Sequence, residues 1–271
     1  LQRRRRRVRL VTAATNTTGD TGTARERVAS DQHVQELLAS LRATFGAGLV
    51  CVARFGSTVA GEAHPGRSDT NLLVVVDALP LEHLHAKAGA VKRWVDAGYS
   101  APLFLTDEEW RTSADVFAME YADVLHRHEV LLGRLPLEGI RVDWRDLRLG
   151  VEREAMGKLL QLRRAILAVG DTPQAQQRLL AGGLSTLMVI FRGAVRVAGR
   201  EPPQDYLSLA KQLGDVAGFD PVPVQRLVQH VRGAQRLPDG ETAGVLSGIL
   251  AAMERLVAWL DGVRAPAGAA S

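Results

Sequence analysis

The sequence predicts an α+β chain, with a mixed sheet and flanking helices in the first half followed by an all-α helical bundle. Two observations predict it. Up to about residue 141, short apolar runs of strand length alternate with helix-length segments and Gly/Pro turns, whereas from Asp143 onward apolar residues recur at helical spacing over long stretches. A third observation is size: 271 residues at 46% hydrophobic composition can bury a core for two compact units.

Residues 1–9 hold six arginines and no acid, so without them the net charge of +4 becomes −2. The basic signal therefore belongs to a tail, residues 1–28, whose Thr- and Gly-rich continuation is expected to stay disordered. Nucleic acid is not expected as a partner except through this arginine tail. Asp31 is expected to cap a helix carrying Val34, Leu37, Leu38, Leu41 and Phe45 on one face and ending at Gly46 and Gly48. Strands should follow at Leu49–Phe55 and at Asn71–Val76, separated by a Gly/Pro-punctuated segment. Leu81–Ala97 reads as a helix with Leu84, Val91 and Val95 inward. Pro102–Leu105 reads as a third strand, closed by the capping box Thr106-Asp-Glu-Glu109. Val116–Val124, rich in β-branched and aromatic residues, is assigned as a fourth strand, and Glu129–Leu132 as an edge strand before Gly133.

These elements make up a first unit, residues 29–141. A helical unit, residues 142–264, follows with helices at 144–169, 173–198, 204–214, 221–235 and 241–262, punctuated by glycines and prolines. Residues 265–271 are Ala/Gly/Pro-rich and read as a loose tail. No run of eighteen apolar residues occurs, and no apolar stretch with a cleavage site follows the basic start, so neither a membrane partner nor a secretory route is expected. The single cysteine, Cys51, falls in a strand and can form no internal disulfide, which suits a cytoplasmic location.

The most informative segment is Gly56-Ser-Thr-Val-Ala-Gly-Glu-Ala-His-Pro-Gly-Arg-Ser-Asp-Thr-Asn71, which runs into Leu72-Leu-Val-Val-Val76. A Gly-Ser turn after a strand lets backbone approach phosphate oxygens, and a helix amino end favours negative charge. Residues at i and i+2 of a strand share a face, so Asp69 and Asn71 can converge on one cation. Mg²⁺ prefers charged oxygens, and an amide oxygen is a weaker ligand than a carboxylate.

This motif resembles that of nucleotidyltransferase-domain proteins of the DNA polymerase β-like superfamily, which includes small bacterial and aminoglycoside nucleotidyltransferases. The Leu-Phe-Leu-Thr strand at 103–106 and the segment Phe191-Arg-Gly-Ala-Val-Arg-Val-Ala-Gly-Arg-Glu-Pro-Pro203 are similar to such proteins as well. The resemblance implies that Gly56, Ser57, Ser68 and Arg67 bind nucleotide, and that Asp69, the residue at the position of Asn71 and a later carboxylate hold Mg²⁺ or Mn²⁺. The usual partner of Asp69 is a second acid; here it is Asn71. Glu120, a charge inside the apolar Val116–Val124 run, is the candidate third carboxylate and base, with Asp123 as fallback.

Other features offer less. His126-Arg127-His128 lacks further Cys or His at zinc spacing and reads as surface. Arg153, Arg163, Arg164, Arg192 and Arg196 recur at helical spacing and either line a cleft facing the sheet or pair with acids such as Glu152 and Glu154. The helical half holds only His230, and lacks the arginine-then-histidine spacing of the ribonuclease partners of some minimal nucleotidyltransferases. The resemblance thus implies transfer of a nucleoside monophosphate from an NTP to a hydroxyl of an unknown acceptor. The alternative is a degenerate relative that binds nucleotide or a protein partner without transfer. Assembly into a homo-oligomer is left open.

Overall fold

The computed structural model describes residues 21–56 and 71–266. Helix α1 (Thr21–Phe45) leads through a 3₁₀ turn at Gly46–Gly48 into strand β1 (Leu49–Phe55). Then come β2 (Asn71–Val76), α2 (Leu81–Asp96), β3 (Leu103–Thr106), α3 (Asp107–Thr112), α4 (Ala118–His126) and β4 (His128–Gly133). The strands form one mixed sheet in the order β3-β2-β1-β4; β1 pairs antiparallel with β2 and β4, and β2 pairs parallel with β3.

The unbroken apolar run of β2 is what a central strand covered on both faces requires. Leu72, Val74 and Val76 pack with Val34, Leu38 and Leu41 of α1 and Trp94 of α2. Leu73 and Val75 point the other way, into a cluster with Cys51, Phe55, Trp110, Tyr121 and Val124. Burial there pushes the Cys51 thiol up to about 11, leaving it a small apolar filler at neutral pH. Trp110 and Tyr121 stack with ring centroids 4.3 Å apart, and the Tyr121 hydroxyl donates to the Trp110 carbonyl at 2.8 Å. The capping box at Thr106 and Glu109 forms as expected.

Three expectations are corrected. Helix α1 begins at Thr21, so Asp31 lies inside it and not at its cap, and residues 21–28 of the expected tail belong to this helix; residues 1–20 lie outside the described residues. In α2, Leu84 and Val95 are exposed, while Trp94 and Lys87 are buried. The Lys87 stem packs inward while its ammonium donates to the Ser40 carbonyl at 2.6 Å and the Ser40 hydroxyl at 2.7 Å, so a charged residue takes an apolar face by tying off its end.

The third correction matters most for function. Val116–Val124 is not a strand: residues 114–117 turn, and Ala118–His126 is helix α4. Ala118, Tyr121 and Val124 are buried at three-residue spacing, and Glu120 and Asp123 fall three apart toward one side. A strand would have sent those two acids to opposite faces. The β-forming types Val, Phe and Tyr outweighed this helical period in the sequence reading.

The second half is built from α5 (Trp144–Val169), α6 (Pro173–Val197), α7 (Tyr206–Ala217), α8 (Val222–Val231) and α9 (Asp239–Gly262). Asp143 and Asp205 cap α5 and α7 with side-chain oxygens, and Gly218 ends α7 in the left-handed region. Their core includes Met188 and Phe191 of α6 and Leu256 of α9, and it also takes in Ala118 and Met119 of α4. By length and composition α6 and α9 are long and apolar enough to cross a membrane. Core helices of a folded bundle meet the same criterion, and both helices supply central core residues here.

Candidate functional site

Strand β1 runs out at Phe55 into Gly56, whose φ of +90° lies in the left-handed region and so favours glycine. Asn71, half-buried, opens β2 directly opposite Phe55 in the antiparallel register. Both ends of the sequence motif therefore meet at one end of the sheet. Ser57, Arg67, Ser68 and Asp69 lie outside the described residues.

A pocket adjoins Gly56. Its other walls are Asp123, His126 and Arg127 at the carboxyl end of α4, Arg192 and Arg196 on α6, and the turn Pro202, Pro203 and Gln204 before α7. The helical turn explains the convergence. Residues 123 and 126 are three apart on α4, and 192 and 196 four apart on α6, so each helix aims a short row at the same space, while Arg127 enters it from the extended residue that ends α4. The segment 191–203 that the sequence marked by resemblance supplies four of these residues.

Asp123 sits between the two arginines, its Oδ1 2.6 Å from Arg196 Nη1 and 4.0 Å from Arg192 Nε. All three side chains are only 12–13% exposed. One carboxylate thus faces two guanidinium groups, and Arg127 adds a third. Burial, and then the nearby Arg196, hold the His126 imidazole below its ordinary range, so it is neutral at pH 7. Its 3.7 Å approach to the exposed Glu201 is then a contact of a neutral ring and not an ion pair. The pocket carries net positive charge beside a glycine turn, the chemistry that receives a polyanion such as a triphosphate.

The five arginines at helical spacing divide. Arg192 and Arg196 line the pocket; Arg153 contacts Glu154 at 3.7 Å and Arg163 pairs with Glu254 at 2.7 Å, on the surface. Sequence reasoning passed over His126 and Arg127 as surface residues. The helical phase of α4 places His126 on the side of Asp123, and Arg127 follows as the extended residue that ends the helix. His128 instead begins β4 with its Nδ1 2.7 Å from the Val124 carbonyl, and His230 accepts a hydrogen bond from the Leu237 amide.

Glu120 lies one turn before Asp123 on α4 and is not part of the pocket wall. Part of its side chain meets solvent, yet desolvation, followed by the charges of Asp123 and Glu154, raises its carboxyl above the ordinary value of 4.5. A raised carboxylate favours the protonated folded state, so it removes stability as pH rises from 4.5 through the folded pKa. Glu120→Gln should therefore raise the melting temperature at pH 7 and flatten its fall over that interval, read by thermal unfolding across pH. An unchanged slope would show that the carboxyl titrates normally.

Among the described residues, no three His, Cys, Asp or Glu side chains gather into a metal-holding group. Of the expected donors, Asn71 stands at the sheet end opposite Phe55, Glu120 lies on α4 outside the pocket wall, and Asp69 is outside the described residues. An amide at this position supplies one carboxylate fewer than a Mg²⁺ site ordinarily uses.

No protein-family model matches this chain, and no curated protein sequence does. Among solved structures, it is similar to spectinomycin adenyltransferase AAD(9) from Enterococcus faecialis, solved with ATP and spectinomycin. The TM-score is 0.57 at 13% identity, covering 83% of this chain and 98% of that one. The likeness spans both the sheet and the helical region, and it is a likeness of fold: a nucleotidyltransferase-type sheet followed by helices.

Proposed function

We propose that the chain binds a nucleoside triphosphate at the Gly56 pocket and, with Mg²⁺ or Mn²⁺, transfers its nucleoside monophosphate to a hydroxyl of an acceptor. The observation that carries this reading is the meeting of Gly56 with Arg127, Arg192 and Arg196 in one pocket. In this reading Gly56, Ser57, Arg67 and Ser68 are the phosphate-binding residues of the motif, and the guanidinium groups of Arg127, Arg192 and Arg196 neutralise charge that grows on the departing pyrophosphate. Asp69 and Asn71 would hold the cation, which when bound neutralises phosphate oxygens. The acceptor oxygen forms a bond to the α-phosphorus, the bond to the bridging oxygen breaks, and pyrophosphate leaves. In this reading Glu120, with its raised carboxyl, takes the proton of the hydroxyl. The pocket's positive charge disfavours a cationic acceptor bound at these same residues.

A second reading, nucleotide binding without transfer, is favoured by three specific observations. Asn71 replaces an acid, Asp123 is held by two arginines, and Glu120 stands outside the pocket wall.

The test is thermal unfolding with each NTP, with and without Mg²⁺ or Mn²⁺. A ligand that binds only the folded state stabilises it by about 2.7 kcal/mol at a hundred times its Kd. One nucleotide should raise the melting temperature in a metal-dependent way, and Asp69→Ala should abolish the metal dependence. If no nucleotide shifts the protein, both readings fail. Asn71→Asp separates them: under the first reading wild type already releases pyrophosphate in the presence of acceptor and the variant binds metal more tightly, whereas under the second wild type binds NTP and releases none.

A further inference from the structure

A second cavity lies in the helical half and shares no residue with the Gly56 pocket. It encloses about 380 Å³ between α5, α6, α8 and α9, within the range of roughly 300–1,000 Å³ common for small-molecule sites. Its floor is apolar and deep: Leu187, Leu227, Ile249 and Met253 are all nearly inaccessible to solvent. Two cations, Lys158 and Arg178, stand in its lining, and neither has an ion pair among the described residues.

Two adjacent glycines, Gly182 and Gly183, make up part of one wall within α6. Glycine inside a helix is less stable than alanine, so a pair of them calls for a reason. Neither has a positive φ, and neither is crowded. A Cβ at Gly182 would meet nothing within 4 Å, and one at Gly183 would lie 3.8 Å from Lys158 Cε, ordinary contact distance. Gly183 leaves the space beside the Lys158 ammonium unfilled, its Cβ position lying 3.9 Å from Nζ, and Gly182 keeps a further part of the wall open. A ligand-sized, apolar-floored space kept open beside two cations that have no ion pair among the described residues fits a molecule with an apolar body and one anionic head.

We propose that this cavity is a binding site for a small monoanionic amphiphile, an aliphatic or aryl carboxylate, with its chain on the Leu227–Met253 floor and its carboxylate between Lys158 and Arg178. The site is separate from the nucleotide pocket and does not depend on that pocket's assignment.

Octanoate, octanol and octyltrimethylammonium share a chain and differ in head charge, so titration calorimetry and thermal unfolding with these three, in the absence of nucleotide, test the proposal. Octanoate should bind once per chain and raise the melting temperature, octanol should bind about tenfold more weakly, and the cation should not bind. Gly183→Leu fills the space and should abolish binding of both octanoate and octanol. The double variant Lys158→Ala/Arg178→Ala should bring octanoate down to the level of octanol while leaving octanol unchanged, and it decides the matter should Gly183→Leu fail to fold. Absence of octanoate binding, equal affinity for octanol, or an octanoate affinity indifferent to the double variant would each overturn the proposal.

Discussion

Asp123→Ala is expected to destabilise the protein by about 2–3 kcal/mol, somewhat less than the 3–5 kcal/mol typical when one partner of a fully buried ion pair is removed, because these side chains keep some solvent. Arg192 and Arg196 are then left facing each other and Arg127 with no carboxylate between them. The loss has a second signature that a purely structural ion pair would lack. Inorganic tripolyphosphate can take the place of the missing carboxylate, so it should raise the melting temperature of the variant more than that of wild type. Chemical denaturation measures the first, and thermal unfolding with and without tripolyphosphate the second. Equal shifts in the two proteins would mean that the anion does not take the place of Asp123, and no shift in either would mean that the pocket does not take anions.

Gly193→Val should be comparably severe. Gly193 lies on α6 between Arg192 and Arg196, and a Cβ there would fall 2.6 Å from Val151 Cγ2 and 3.3 Å from Met119 Cε. Val151 is completely buried, so it has no free space to retreat into. Replacing a helical glycine ordinarily gains up to about 1 kcal/mol with alanine and somewhat less with valine. Overpacking costs about 1–3 kcal/mol, and here the first of three added carbons already overlaps, so the cost lies at the upper end of that range and the net loss after the helix gain is about 2 kcal/mol. Because α6 must move away from α4 and α5 to relieve the clash, the variant should also lose the anion response of the pocket. A variant of wild-type stability would show that α6 packs differently against α4.

Much of this architecture is legible in the chain. The five apolar positions of α1, the two central strands, the edge strand at Glu129–Leu132 and the bounds of α5 and α6 follow from period and punctuation, because each buries one continuous face or run. Where the sequence misled, a local preference competed with a tertiary one. Val116–Val124 has strand-forming residues in a helical phase, and the phase prevails because α4 must cover two cores at once. Lys87 looks like a surface residue until Ser40 appears at its end.

The site divides along the same line. Gly56 and Asn71 were visible because strand ends and turns leave local marks in sequence. Arg192 and Arg196 were visible only as two of five evenly spaced arginines, since a stripe does not say which of its members faces inward. Asp123 was recognised as an acid, but its role as counterion was hidden, because its partners lie about seventy residues further along the chain. His126 could be placed only once the element carrying it was known to be a helix, and Arg127 only once that helix was known to end before it.

Helix α4 has a wider consequence. It has nine residues, too few to persist as an isolated helix in water, and it spends Ala118 and Met119 on the bundle core and Tyr121 and Val124 on the core beneath the sheet. Neither core is complete without it, and it does not hold its shape without both. The two halves are therefore coupled in folding: melting of one removes a wall of the other, and the chain behaves as one cooperative unit despite its two-part plan. A ligand seated against α4 strengthens sheet and bundle together. An amphiphile in the bundle cavity would likewise make the Gly56 pocket harder to unfold, with no movement transmitted between them.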